Sequence, residues 1–259
     1  MKKGFYVVLV AVLASCTTVP STTKSSAAQP PGAAHPVLVT TYYPNGDVAE
    51  SIKSTYDSFG RLVHQDVRNG NGIITEIRAG QSKGPAWRIA TTNAQSQTVT
   101  SLEDLRYDSQ GNVLVQTLLN SQGVPQASNE YTYDAKSRKL QWVAKSGDGE
   151  LQARTVYVRD SSGNNVRTDV YDSGGALTNV FESRFDGQGQ ILSRTGYDAS
   201  HHVVEVTTYS WKDGKKTKEE TSKPLLRTIE YRYDQAGRLV ESLSTVRGKV
   251  VERQTFQYE

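Results

Sequence analysis

From residue 37 onward, apolar and polar residues alternate singly, in short runs that stop at turn-forming residues. Near Tyr133, residues Glu130, Thr132 and Asp134 fall on one side while Tyr131 and Tyr133 fall on the other. Near Tyr233, residues Ile229, Tyr231 and Tyr233 oppose Glu230, Arg232 and Asp234. A period of two is that of a half-buried strand. Thr, Val and Tyr dominate these runs, and such side chains pack well on a pleated surface.

The runs end on recurring pairs of an aromatic and an acid. Tyr56-Asp57, Tyr107-Asp108, Tyr133-Asp134, Tyr171-Asp172, Phe185-Asp186, Tyr197-Asp198 and Tyr233-Asp234 all do so, and most have glycine shortly after. In Asp-x-x-Gly the carboxylate accepts a backbone N–H and starts a type I turn, and glycine takes the positive φ that follows. Such a loop joins antiparallel neighbours, often through a bulge. Aromatics at 107, 133, 157, 185, 209, 233 and 258 step by 24 to 28 residues, which marks a repeat architecture. A second set of turns lies between them, at Pro44–Gly46, Asn69–Gly72, Asn120–Gly123, Ser146–Gly149, Asp172–Gly175 and Arg247-Gly248. One period of about 25 residues is therefore strand, turn, strand, turn, which implies about 18 short strands in one long antiparallel meander. No helix longer than a turn is predicted. The charge run Lys215–Glu220 falls in a strand or loop, and the stretch from 80 to 97 lacks a Tyr-Asp pair to set its register.

Eighteen strands side by side make a strip about 85 Å long. With Tyr, Val, Leu and Ile on one face, it must roll, fold over or find a partner. A rolled or spiral all-β sheet is the expectation. A β-propeller competes, but its blades want about four strands, a period nearer 45 than 25. A membrane barrel matches the strand count but is opposed by charges on both faces.

The first 36 residues differ from the rest. Residues 1–15 join Lys2 and Lys3 to an apolar run of signal-peptide length, ending at Leu13-Ala14-Ser15-Cys16. This resembles a bacterial lipoprotein signal with its lipobox. The resemblance implies cleavage before Cys16, lipidation of that cysteine and a membrane held as partner through it. Thr17, where an inner-membrane retention signal would place Asp, leans toward the outer membrane, facing the periplasm or the cell surface. Residues 16–36 are rich in Ser, Thr, Ala and Pro and read as a tether; twenty such residues reach about 25 Å. Residues 37–259 form the repeat domain.

The repeat itself resembles YD repeats, also called RHS repeats. Tyr231–Leu239 matches that pattern fully and Tyr56–Leu62 nearly so, whereas Ser137 and His201 depart from it where glycine is usual. In large members the repeats coil into a shell around a toxin domain. This chain lacks that domain's sequence, and its repeats look too few for a large shell, so the resemblance implies the sheet and not the encapsulation.

Composition narrows the function. Without Lys2 and Lys3, 28 Lys and Arg stand against 27 Asp and Glu, so the bulk charge makes no strong electrostatic case for nucleic acid or for an anionic membrane surface. The single cysteine excludes an intramolecular disulfide framework. No Gly-x-Ser-x-Gly, His-Glu-x-x-His or phosphate loop occurs. Glu103-Asp104 and Glu219-Glu220 are neighbours on strands and so point to opposite faces. His201 and His202 can share a metal only from a turn, and Asp148 is too isolated for calcium. No enzyme activity, metal or cofactor is expected. Tyr107, Tyr133, Tyr157, Tyr209, Tyr231 and Tyr233 admit two roles, cross-strand packing or a flat platform for a sugar or peptide. The expected activity is binding or scaffolding of an envelope protein, with strand addition at a free edge as one mode and glycan binding as the alternative.

Overall fold

The computed structural model describes residues 35–258. Cys16 and the signal segment lie outside them. Eighteen strands run from β1 (Leu38–Tyr42) and β2 (Val48–Tyr56) to β17 (Leu239–Val246) and β18 (Lys249–Gln257). Consecutive strands pair antiparallel throughout, as the meander predicts. The last strand then pairs with the first, from Leu38↔Gln257 to Tyr42↔Arg253. The sheet is a closed antiparallel β-barrel. This corrects the rolled or spiral strip, the propeller alternative and the free edge: the repeats suffice to close on themselves, and closure satisfies the backbone groups that two open edges would leave bare.

The repeat's turns are built as their chemistry requires. Asp134 Oδ1 accepts the N–H groups of Lys136 (2.9 Å) and Arg138 (3.0 Å), while the Ser137 N–H bonds the Asp134 carbonyl at 3.0 Å. Asp57, Asp108, Asp172, Asp186 and Asp198 repeat the two-N–H pattern, and Asn69 and Asn120 supply an amide oxygen instead. Ser137 and His201 occupy the glycine position at φ 59° and 66°, a region that costs a side chain energy. The register shifts at Thr55/Tyr56, Arg106/Tyr107, Thr132/Tyr133, Arg184/Phe185 and Arg232/Tyr233, one bulge beside each turn. The stretch with unset register is a plain hairpin, β4 (Ile74–Lys83) to β5 (Ala86–Asn93), turned by Gly84-Pro85. Lys215–Glu220 lies in β15 (Lys215–Lys223).

Eight hairpin turns mark one rim and nine the other. The first rim also holds both described chain ends, where the Val37 N–H bonds the Gln257 carbonyl at 2.8 Å. It carries the turns that follow Tyr56, Tyr107, Tyr133, Phe185 and Tyr233 and is called the tyrosine rim below, whereas the Tyr171-Asp172 and Tyr197-Asp198 turns lie on the opposite rim. The opposite one is called the aliphatic rim.

Gly123 sits at φ 82° with open space where a Cβ would stand, whereas Gly187 has the same open space and no positive φ. Gly123→Ala is expected to cost about 1 kcal/mol in urea unfolding, and Gly187→Ala to leave stability unchanged or slightly raised.

Candidate functional site

Strand alternation sorts the wall into two faces, and burial identifies the inner one. Ser54, Ile89, Glu103, Leu105, Gln116, Thr155, Thr207, Tyr209, Tyr231 and Gln254 are buried and share one face through the register. Their neighbours in sequence face out. The inner face changes character along the barrel axis.

At the tyrosine rim it is aromatic. Leu62, Ile89, Leu105 and Val113 are buried beneath Tyr56, Trp87, Tyr107 and Tyr131. Across the ring, Tyr231, Leu239 and Phe256 pack with Val39, Ile229, Tyr233 and Tyr258. The polar tips find carbonyls: Tyr133 Oη donates to Val113 (2.8 Å), Tyr233 Oη to Lys216 (2.9 Å), Trp87 Nε1 to Leu62 (3.0 Å) and Trp211 Nε1 to Ile191 (2.7 Å). Burial pushes the Tyr107 and Tyr131 hydroxyls up to about 12, with the Glu103 charge adding to it at Tyr131. Burial likewise raises Tyr133 and Tyr231. Tyr107, Tyr133, Tyr157, Tyr209, Tyr231 and Tyr233 thus fall on the inner alternation and do not form an outward platform.

At mid-height the inner face is a polar belt. Arg78 Nη2 donates to Glu103 Oε2 at 2.9 Å, and Gln116 Nε2 to Glu103 Oε1 at 2.8 Å. Asn129 Nδ2 donates to Gln116 Oε1 at 2.9 Å, and Trp142 Nε1 to Asn129 Oδ1 at 2.9 Å. Gln65 Nε2 donates to Ser54 Oγ at 2.9 Å on the other flank of Arg78. Farther round, buried Lys216 sits 4.6 Å from the Tyr231 ring centroid and 5.5 Å from that of Tyr209, with Glu219 at 3.0 Å. Burial lowers the Lys216 pKa, and Glu219 opposes the shift. The composition of single strands hides this belt; the signal for it is the 13-residue separation of Glu103, Gln116, Asn129 and Trp142.

At the aliphatic rim the strand starts are apolar and uncovered. Val99, Leu177, Val203 and Val250 fall on the inner alternation at 36–39% exposure. Ile73, Val124 and Leu226 stand at the turns with 61%, 52% and 46%.

The outer wall is charged. Arg88 and Asp104 form a doubly bonded pair at 2.6 Å between β5 and β6 (Thr98–Tyr107). Lys145–Glu130, Arg167–Asp169, Lys218–Glu220 and Arg253–Glu241 continue the pattern at 2.6–3.1 Å. Glu103 and Asp104 are thereby assigned to opposite faces, as are Glu219 and Glu220. A shallow hollow of ≈ 310 Å³ on this wall is lined by Arg167, Glu182, Arg184, Ser193 and Tyr197.

The histidines do not assemble a site. His201 and His202 do lie in a turn, but His201 stacks on Tyr197 at 4.5 Å while His202 Nδ1 approaches Asp198 Oδ2 at 3.2 Å. His64 faces Asp66 at 2.9 Å on the outer wall. No group of three metal-ligating side chains occurs among the described residues. Asp148 bonds Ser146 within its own turn.

No family model and no curated protein matches the chain. Among solved structures, a porin-like protein from Bacteroides uniformis ATCC 8492 is similar at 10% identity and TM-score 0.48, covering 88% of this chain and 99% of that one. One from Bacteroides vulgatus ATCC 8482 overlaps at 10% identity and TM-score 0.33, with the same coverages of 88% and 99%. The TcdB2-TccC3-TEV structure overlaps at 11% identity and TM-score 0.24, over 82% of this chain and 16% of that one. At these scores the likeness assigns no activity to this chain.

Two outcomes test the site's energetics. Glu103→Ala leaves the largely buried Arg78 guanidinium without this carboxylate and should cost about 3–5 kcal/mol in chemical unfolding, with Glu103→Gln costing less. The Arg238 side chain and then its backbone N–H hold Asp234 below the ordinary carboxylate range; the Arg138 backbone N–H leads at Asp134, and that of His202 at Asp198. A depressed carboxyl contributes stability that is present above the unfolded value, about pH 4, and lost as pH falls through the folded values. Melting temperature should therefore fall steeply below about pH 4, and Asp234→Asn should flatten part of that fall.

Proposed function

We propose that the chain is a lipid-anchored cell-envelope protein, held at the outer membrane through Cys16, whose barrel is a non-catalytic binding or scaffolding module for an envelope protein. The observation that carries this reading is the position of the chain ends. The tether leads into β1 at the tyrosine rim, so the aliphatic rim is the end turned away from the anchor. The uncovered Ile73, Val124, Leu226 and Val250 give that end an apolar ring bordered by polar turns, a composition suited to a protein contact. Charge pairs around the outer wall favour a barrel standing beside a bilayer over one crossing it, because a lipid-facing band is nearly free of charge. Kinship with YD repeats is supported by the Asp-x-x-Gly turns and the inward tyrosines. The glycan alternative through those tyrosines is less favoured, since the Tyr133 and Tyr233 hydroxyls are already engaged.

The test is photocrosslinking of the lipidated protein in its own membranes from positions on the aliphatic rim. One defined protein adduct is expected, lost in Val124→Asp/Val250→Asp while the β-type circular dichroism spectrum stays unchanged. Mass analysis should find the mature N-terminus at an acylated Cys16. An unmodified Cys16, or adducts indifferent to the double variant, would sink the reading.

A further inference from the structure

The two rims differ in charge as sharply as in apolar content. The turns of the tyrosine rim and the residues flanking them (56–62, 83–86, 106–113, 132–139, 158–165, 184–191, 211–216 and 232–239) hold twelve Lys and Arg against seven Asp, the buried Lys216 left aside. The matching segments of the aliphatic rim (41–49, 68–75, 92–99, 119–126, 145–152, 171–178, 197–204, 222–228 and 245–251) hold six against five. Since Lys and Arg over residues 35–258 nearly balance Asp and Glu, the tyrosine rim is positive at the expense of the remaining wall.

Three acids of this rim cancel three of its cations within single turns. Asp57, Asp134 and Asp234 each bind backbone N–H groups of their own turn and pair with Arg61, Arg138 and Arg238 at 2.7–2.8 Å. Five other cations, Lys83, Arg106, Lys136, Arg184 and Lys212, are exposed and have no ion pair among the described residues. They stand on five different hairpins, so the charge is spread around the ring. Phe59, 71% exposed, projects from a turn of the same rim, an apolar ring of the kind that enters the headgroup–acyl boundary of a bilayer.

We infer that the tyrosine rim docks face-on to an anionic phospholipid surface. The occupant is set by charge complementarity and by where the chain leads: the residues that precede β1 leave from this rim, so the surface that holds the tether is the surface the rim meets. A ring of separated cations fits a plane of anionic headgroups, whereas a compact cluster would fit one small anion. Each Lys or Arg brought to such a surface is worth about fivefold in affinity, screened by salt. The biological setting rests on the lipid-anchored reading above, but the contact itself is measurable without the acyl chains.

The experiment uses the mature chain from residue 16 with Cys16→Ser, sedimented with vesicles of phosphatidylcholine alone or mixed with phosphatidylglycerol. Binding to the mixed vesicles is expected, falling with salt, and weakened roughly 25-fold by Lys136→Gln/Lys212→Gln. The opposite-rim pair Lys223→Gln/Lys249→Gln should leave it unchanged. Equal binding to both vesicle types, no binding, or equal loss in the two double variants would overturn the inference. Because the acyl group is absent throughout, such a failure leaves the anchoring reading to be decided by the mass of Cys16.

Discussion

Each strand of this barrel has two hydrogen-bonded neighbours, and the pairing of β18 with β1 is what makes that true of the last two. The seam runs from Leu38↔Gln257 to Tyr42↔Arg253. It joins side chains as well as backbone. Val39 of β1 packs on the cluster formed by Tyr231, Leu239 and Phe256, and Gln254 reaches Thr41 at 3.4 Å. Opening the seam would bare two rows of N–H and C=O groups and uncover part of an aromatic cluster at once.

With the ring closed, strand alternation becomes a division of labour between adjacent residues. Glu103 bonds Arg78 and Gln116 on the inner face, while Asp104 bonds Arg88 outside. Glu219 meets Lys216 and Tyr231 inside, while Glu220 meets Lys218 outside. The inner groups are satisfied laterally, strand to nearby strand, by amides and hydroxyls with fixed partners. That arrangement gives the belt's polar side chains partners that burial requires, while Arg159 Nε and Arg194 Nε stay buried without one among the described residues. The outer pairs are more exposed and contribute less each, but they keep the wall compatible with water.

Local chemistry was legible in the sequence and global closure was not. The strand count, the antiparallel order and the Asp-started turns follow from spacing and from what Asp and Gly do to a backbone. Tyr133 and Tyr233 announce their turns, and they do sit beside bulges at one rim. A repeat describes only how each unit meets the next. Whether Leu38 finds Gln257 depends on the accumulated curvature of eighteen strands, which no single period encodes. The polar belt escaped for a related reason: its members are one per strand, separated by a half-period, so no short window contains two of them. The aliphatic rim escaped because Val124, Leu177 and Val203 look like ordinary strand starts until their exposure is known. The tyrosines were assigned a face correctly by alternation, but which side of a curved sheet is concave is set by closure.

An even number of strands returns the chain to the rim where it began. Because every hairpin unit starts and finishes at that rim, duplicating or deleting one whole unit would change the circumference and nothing else about the polarity. The tether, the aromatic end and the aliphatic end would keep their order along the axis. The architecture is therefore open to change in girth by gene-level gain or loss of single repeats, while the loss of one strand alone would send the two termini to opposite ends and force the closing pair to run parallel.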